Sequence, residues 1–220
     1  MPHKEYNFAY LLIALIIFLV ILPILDDFDL AQGKLGHLIG FSTLLVIGVW
    51  SLQGAGKIFR IGMTLVIVGM IFNFLAYASD DVSYVHITVT LVFAFLILAT
   101  LTALKQVLFA HKLDRNRLYG ALCVYLMLGV IWALAYASLN SVSPSAFEGV
   151  GDVQGSPWSV QWLYYSFVTL TTLGYGDILP VSGTARVLAY SEAVLGVFYM
   201  AVLVAGLVGA HLSERANKQD

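Results

Sequence analysis

Thr171-Thr172-Leu173-Gly174-Tyr175-Gly176-Asp177 decides how the rest of this chain folds. The stretch carries glycine on alternate positions and lies between two long apolar runs near the C-terminal end. Glycine reaches backbone regions closed to most side chains, so alternate residues here are free to adopt them. The apolar setting extends to the whole chain. Of 220 residues, 60% are apolar and 11% are charged, which indicates a polytopic membrane protein and not a soluble globule. The net charge of −2 decides little, because distribution matters more than the sum. The one cysteine, Cys123, lies in an apolar run and reads as a small buried hydrophobe.

A membrane helix needs about twenty apolar residues. Outward from the quoted stretch, one run follows it (about Thr184 to Leu212) and another precedes it (Leu118 to Leu139). Towards the N-terminus lie four more, at Phe8 to Leu25, Gly36 to Gln53, Ile58 to Ser79 and Tyr84 to Leu104. The first reads as a retained span and not a cleaved leader, since acids follow Leu25 where small residues would be needed. Gly54-Ala55-Gly56-Lys57 is no phosphate loop, because Ser51 stands for the earlier glycine and Ile58 for the final Ser or Thr. Between the last two spans, Gly155-Ser156-Pro157-Trp158 predicts a helix start. Ser156 suits the N-cap and Pro157 the first helical position. That helix, ending near Leu170, is too short to span and must re-enter, with protein around its exposed end.

The seven-residue stretch resembles the selectivity filter of the tetrameric potassium channel family, whose signature is Thr-Val-Gly-Tyr-Gly-Asp, with Leu173 here in place of Val. The resemblance implies an all-α membrane protein of six transmembrane helices with a re-entrant pore helix and filter loop, assembled as a homotetramer. It implies that carbonyls of Thr172, Leu173, Gly174 and Tyr175 bind K+, with Gly176 completing the ion-binding filter and the Thr172 hydroxyl closing the inner end. Such rings of carbonyls replace the ion's hydration shell. Leu173 and Tyr175 would pack behind the loop, and Asp177 would sit at the outer mouth. Tyr164-Tyr165 resembles the aromatic pair of this family. Tyr164 either hydrogen-bonds Asp177 or packs as an ordinary aromatic. The position of a glutamate found in some members is Val168, which puts a carboxylate-linked inactivation in doubt.

In the last span, Gly196 falls where the family places its hinge. Bending on opening and close helix packing are both open readings; Gly206 and Gly209 fit packing. Val197, Met200, Val204, Val208 and Leu212 would face the axis as an apolar gate. Glu192, the only acid within a span, is expected to face protein near the pore helix and support the filter. His211 at the inner mouth is either a pH sensor, by repulsion among four copies, or a solvated helix-end residue. Glu148, Asp152 and Asp177 either raise the local cation concentration or are solvated loop charges.

The chain divides into a four-helix, sensor-like part (1–112) and a pore part (113–220). Voltage-gated relatives carry repeated arginines in the fourth span. From Tyr84 to Leu104 there is none, so weak or no intrinsic voltage dependence is expected. Eight residues follow Leu212, so no cytosolic ligand-binding domain is expected after it. Lys4, Lys57, Arg60, Lys105, Lys112, Arg115, Arg117, Arg215 and Lys218 fall on one side, and only Lys34 and Arg186 on the other. That asymmetry sets both termini in the cytoplasm and the filter at the outer face. A plasma membrane or prokaryotic inner membrane fits. The expected activity is passive potassium conduction, with lipid, K+ and three further copies as partners, no cofactor and no nucleic acid. The alternatives are a subunit of a potassium uptake transporter, or a ligand- or pH-gated nonselective cation channel. No nucleophile–base pair, metal cluster or phosphate loop points to an enzyme.

Overall fold

The computed structural model describes residues 8–27, 57–79, 82–108, 115–151 and 159–216, and position 42; side chains are described at these positions except 22, 25–27, 57, 82, 115 and 207–216. Six helices are present among them: α1 (Phe8–Asp27), α2 (Lys57–Ser79), α3 (Val82–Leu108), α4 (Arg115–Val142), α5 (Val160–Leu170) and α6 (Gly183–Ala216). Two short strands, β1 (Phe147–Glu148) and β2 (Leu179–Pro180), pair antiparallel on either side of α5.

Four helices are long and apolar enough to cross a membrane, over Ile58–Ser79, Ser83–Leu108, Asn116–Val142 and Gly183–Gly206. At about 1.5 Å per residue, each exceeds the ~30 Å hydrocarbon thickness. α1 contributes a shorter apolar stretch, Phe8–Ile21. The span expected at Gly36 to Gln53 lies outside the described residues, apart from Ser42. The observed helices extend each of the other expected spans by one to several residues, because polar end residues such as Arg115 and Asn140 continue the backbone ladder.

α4 is the hub, in contact with α1, α3, α5 and α6. On α1 the buried residues Phe8, Leu11, Leu15 and Phe18 recur at helical spacing and meet Cys123, Val124, Met127 and Val130 of α4. Val92, Phe95, Leu96, Ala99 and Ala103 bring α3 to the same cluster. The backbone N–H of Phe8 donates to Asn116 Oδ1 at 2.8 Å, which fixes the end of α1 to the start of α4. In a bilayer the lipid is as apolar as these side chains, so close packing holds the helices together.

A second cluster lies at the far end of α4. Tyr136, Phe147, Trp162 and Tyr165 meet edge to face, with centroids 4.7–5.7 Å apart. Such pairs are each worth about 0.5–1.5 kcal/mol beyond their burial. They join α4, β1 and α5. Val181 N–H donates to the Ala146 carbonyl, 2.9 Å away, and closes the strand pair.

Candidate functional site

The site is the loop 171–177, held between α5 and β2. α5 is apolar on the face that meets the core, burying Trp162, Tyr165, Ser166, Val168 and Leu170. Its start differs from the expected one. Ser156, Pro157 and Trp158 lie outside the described residues. The described helix begins at Val160 and is capped by Ser159, whose hydroxyl accepts from Gln161 N–H at 3.3 Å. A second serine three residues on satisfies the same capping rule, which is why composition alone misplaced the start.

At its other end α5 tightens and then turns out. Thr172 N–H donates to the Thr169 carbonyl (2.9 Å), and Leu173 N–H to that of Val168 (2.9 Å). Gly174 N–H reaches the same Val168 oxygen at 3.3 Å. The loop's amide hydrogens are thus directed back to the helix end. Among the described residues, no backbone hydrogen bond ends on a carbonyl of 172–176. Thr172, Gly174 and Gly176 have φ of 59°, 59° and 79°. Left-handed residues therefore alternate with Leu173 and Tyr175. The two glycines adopt this conformation cheaply. Thr172 is β-branched, and a left-handed threonine costs about 1–3 kcal/mol. The motif did not reveal that strain.

Every residue from Thr171 to Asp177 is exposed in the single chain, and Leu173 and Tyr175 are exposed by 56% and 67%. The Tyr175 ring stacks on Tyr164 at 6.4 Å, with 10° between planes. Tyr164 Oη donates to Asp177 Oδ2 at 2.6 Å, so of the two readings open for Tyr164 the structure contains the hydrogen bond. That donor holds the Asp177 carboxyl below the usual carboxylate range. Tyr165, one position on, turns the other way into the aromatic cluster.

Glu192 of α6 is fully buried. Its Oε1 lies 2.5 Å from Ser166 Oγ of α5, and its Oε2 accepts from Tyr136 Oη of α4. Ser166 and Tyr136 were not legible as its partners, because nothing in their spacing relates them to residue 192. Gly196 is buried against the end of α5. A Cβ there would press into the Leu170 carbonyl oxygen and come within 3.0 Å of Leu170 Cδ1. Close packing against Leu170 is thus present at this glycine. Within the single chain a Cβ at Gly206 meets nothing within 4 Å, so any close packing of this glycine is not against the described residues of its own chain. Gly209 lies on α6 outside the described side chains.

Val197, Met200 and Val204 are exposed on α6. Val208, His211 and Leu212 are helical, and their side chains lie outside the described set. Glu148 is exposed on β1; Asp152 lies outside the described residues. No group of three or more His, Cys, Asp or Glu suited to a metal occurs among the described residues.

Residues 121–210 match the family described as ion channel. A two pore potassium channel of Oryza sativa subsp. japonica is 33% identical over 98 residues, 44% of this chain and 25% of its own length. The two-pore potassium channel 4 of Arabidopsis thaliana is 30% identical over 92 residues, 42% of this chain and 32% of its own. The potassium voltage-gated channel subfamily KQT member 4 of Homo sapiens is 40% identical over 57 residues, 26% of this chain and 8% of its own. The chain spans a third or less of the length of these curated relatives. No solved structure matches. The matched segment, from α4 to α6, is thus similar to ion channels and, distantly, to these potassium channels.

Proposed function

We propose that four copies of this chain surround one axis and conduct potassium ions passively, each giving its 172–176 loop as a quarter of the filter. The observation that carries this reading is the alternation of left-handed residues at Thr172, Gly174 and Gly176, with the amide hydrogens of 172–174 turned back to α5. Such a backbone aims successive carbonyls the same way, and four of them make rings that replace a cation's water. K+ is held at the Thr172, Leu173, Gly174 and Tyr175 oxygens. The C-terminal end of α5 adds its partial negative charge.

One filter copy per chain requires a homotetramer to close the ring. The exposed Leu173 and Tyr175, and an α6 span only 11% buried, support coverage by further copies. Val197, Met200, Val204, Val208 and Leu212 form the apolar gate, Gly196 is its pivot or its packing point, and His211 is a candidate pH sensor. Tyr164, Asp177 and Glu192 support the filter. Residues 1–112 form the peripheral part and 113–220 the pore. α3 carries one basic residue in its last turn, Lys105, which supports weak or no intrinsic voltage dependence. Both termini face the cytoplasm, in a plasma or prokaryotic inner membrane.

The test is flux from liposomes loaded with potassium or sodium, at varied pH and voltage, with Gly174→Asp as control. Potassium flux well above sodium flux, lost in the variant, is expected. Equal passage of the two ions overturns the reading, and so does a monomeric protein in native lipid.

A further inference from the structure

Three helices meet at the buried carboxyl of Glu192, and four groups stand in a row there. Tyr136 Oη of α4 donates to Glu192 Oε2. On the other side Ser166 Oγ lies 2.5 Å from Glu192 Oε1 and 2.7 Å from the Gly129 carbonyl oxygen of α4. A serine hydroxyl owns one hydrogen, and a backbone carbonyl owns none. Two oxygen–oxygen contacts this short need two hydrogens. Ser166 supplies one, and Glu192 is the sole remaining source of the other.

An ionised Glu192 would leave one of the contacts as two lone pairs pressed together. Glu192 and Ser166 are both 0% exposed, so such a contact would carry its full desolvation cost. Among the described residues, no positive charge compensates it either. Among the described residues, the ionisable side chains near enough to feel the Glu192 charge are the phenols Tyr125, Tyr136 and Tyr165. An unpaired carboxylate inside a spanning helix is costly and takes up a proton instead.

We infer that Glu192 carries its proton and is a neutral hydrogen-bond donor that positions α5. Oε1–H donates to Ser166 Oγ, and Ser166 Oγ–H donates to the Gly129 carbonyl. The hydrogens then run in one direction, from Tyr136 through α6 and α5 and back to α4. Each donor has an acceptor, and each link polarises the next. Ser166 lies one helical turn before Leu170, which abuts Gly196. The chain of bonds and that contact together fix the rotation and depth of α5, and so the start of the 171–177 loop. Glu192 is a positioning residue and does not touch the ion.

Infrared difference spectra of the full chain in lipid bilayers, wild type minus Glu192→Gln at neutral pH, read the proton directly. A carbonyl band of a protonated acid, shifted in D2O and absent from the variant, is expected. Ionised-carboxylate bands in its place overturn the inference. The second arm rests on the proposed conduction. In Glu192→Gln the amide oxygen accepts from Tyr136 and the amide N–H donates to Ser166. Its potassium-to-sodium flux ratio stays within about twofold of wild type, while Glu192→Ala lowers it by about tenfold or more. A glutamine variant as impaired as the alanine one overturns the donor role. If the wild type fails to conduct potassium, the infrared arm still reports the proton, so the two failures are distinct.

Discussion

Gly196→Ala separates packing from bending at the centre of α6. The added methyl would meet the Leu170 carbonyl oxygen and would lie 3.2 Å from the Leu170 carbonyl carbon and 3.0 Å from Cδ1. Restoring ordinary contact requires α5 and α6 to part by about 1 Å. Overpacking of this kind costs about 1–3 kcal/mol. Alanine returns about 1 kcal/mol in helix propensity. The net loss is about 1 kcal/mol, and it falls on the residue next to Thr171. Since a functional geometry tolerates about 0.5 Å of error, the loop should lose selectivity. The expected outcome is a potassium-to-sodium flux ratio about tenfold lower, with reduced thermal stability in detergent. Gly206→Ala is the matched control. Within its own chain the methyl meets nothing within 4 Å, so the ratio should hold and stability should rise by up to about 1 kcal/mol. Should Gly196→Ala keep wild-type selectivity and stability and lower only the open probability, the packing account is refuted and the bend stands.

Tyr164→Phe removes the donor that keeps the Asp177 carboxyl low. With its folded pKa depressed, Asp177 contributes stability that is present above its unfolded value and lost as the outer pH falls through the folded one. In the variant, inhibition of flux by external acid should therefore begin at a higher pH; an unchanged acid profile would count against the bond's role. Gly129→Ala places a methyl 2.6 Å from Phe167 Cζ, so α4 and α5 must separate at a cost of about 1–3 kcal/mol, read as a lower melting temperature. Gly149 has φ 79°, and a side chain there would also run into the Asp177 carbonyl oxygen. Gly149→Ala should thus lower the flux ratio while leaving assembly on native gels unchanged.

Much of the fold was legible because its signals are local. Apolar run length gave α2, α3, α4 and α6 to within a few residues, and the Gly174–Gly176 alternation marked the loop. What was hidden depends on residues far apart in the chain. The contact of Gly196 with Leu170, the pairing of Glu192 with Ser166 and Tyr136, and the attachment of Phe8 to Asn116 join positions 26 to 108 residues apart. Thr172 shows another limit. Its left-handed backbone opposes its own propensity, so no rule on residue type would place it there. Local preference gives way where the surroundings over-determine the conformation.

The β1–β2 pair has a mechanical consequence. Phe147 faces Pro180 and Glu148 faces Leu179, so the chain that leaves towards α5 comes back to its own point of departure. Arg186 Nε–H, one turn into α6, donates to the Pro180 carbonyl at 3.2 Å and ties the far side to the same buckle. A pull on the first turn of α6 is then shared by this buckle and does not pass through the 177–182 segment alone. The loop 171–177 is thus slung between two anchors, the buckle and the Gly196–Leu170 contact, and a load on either is divided between them.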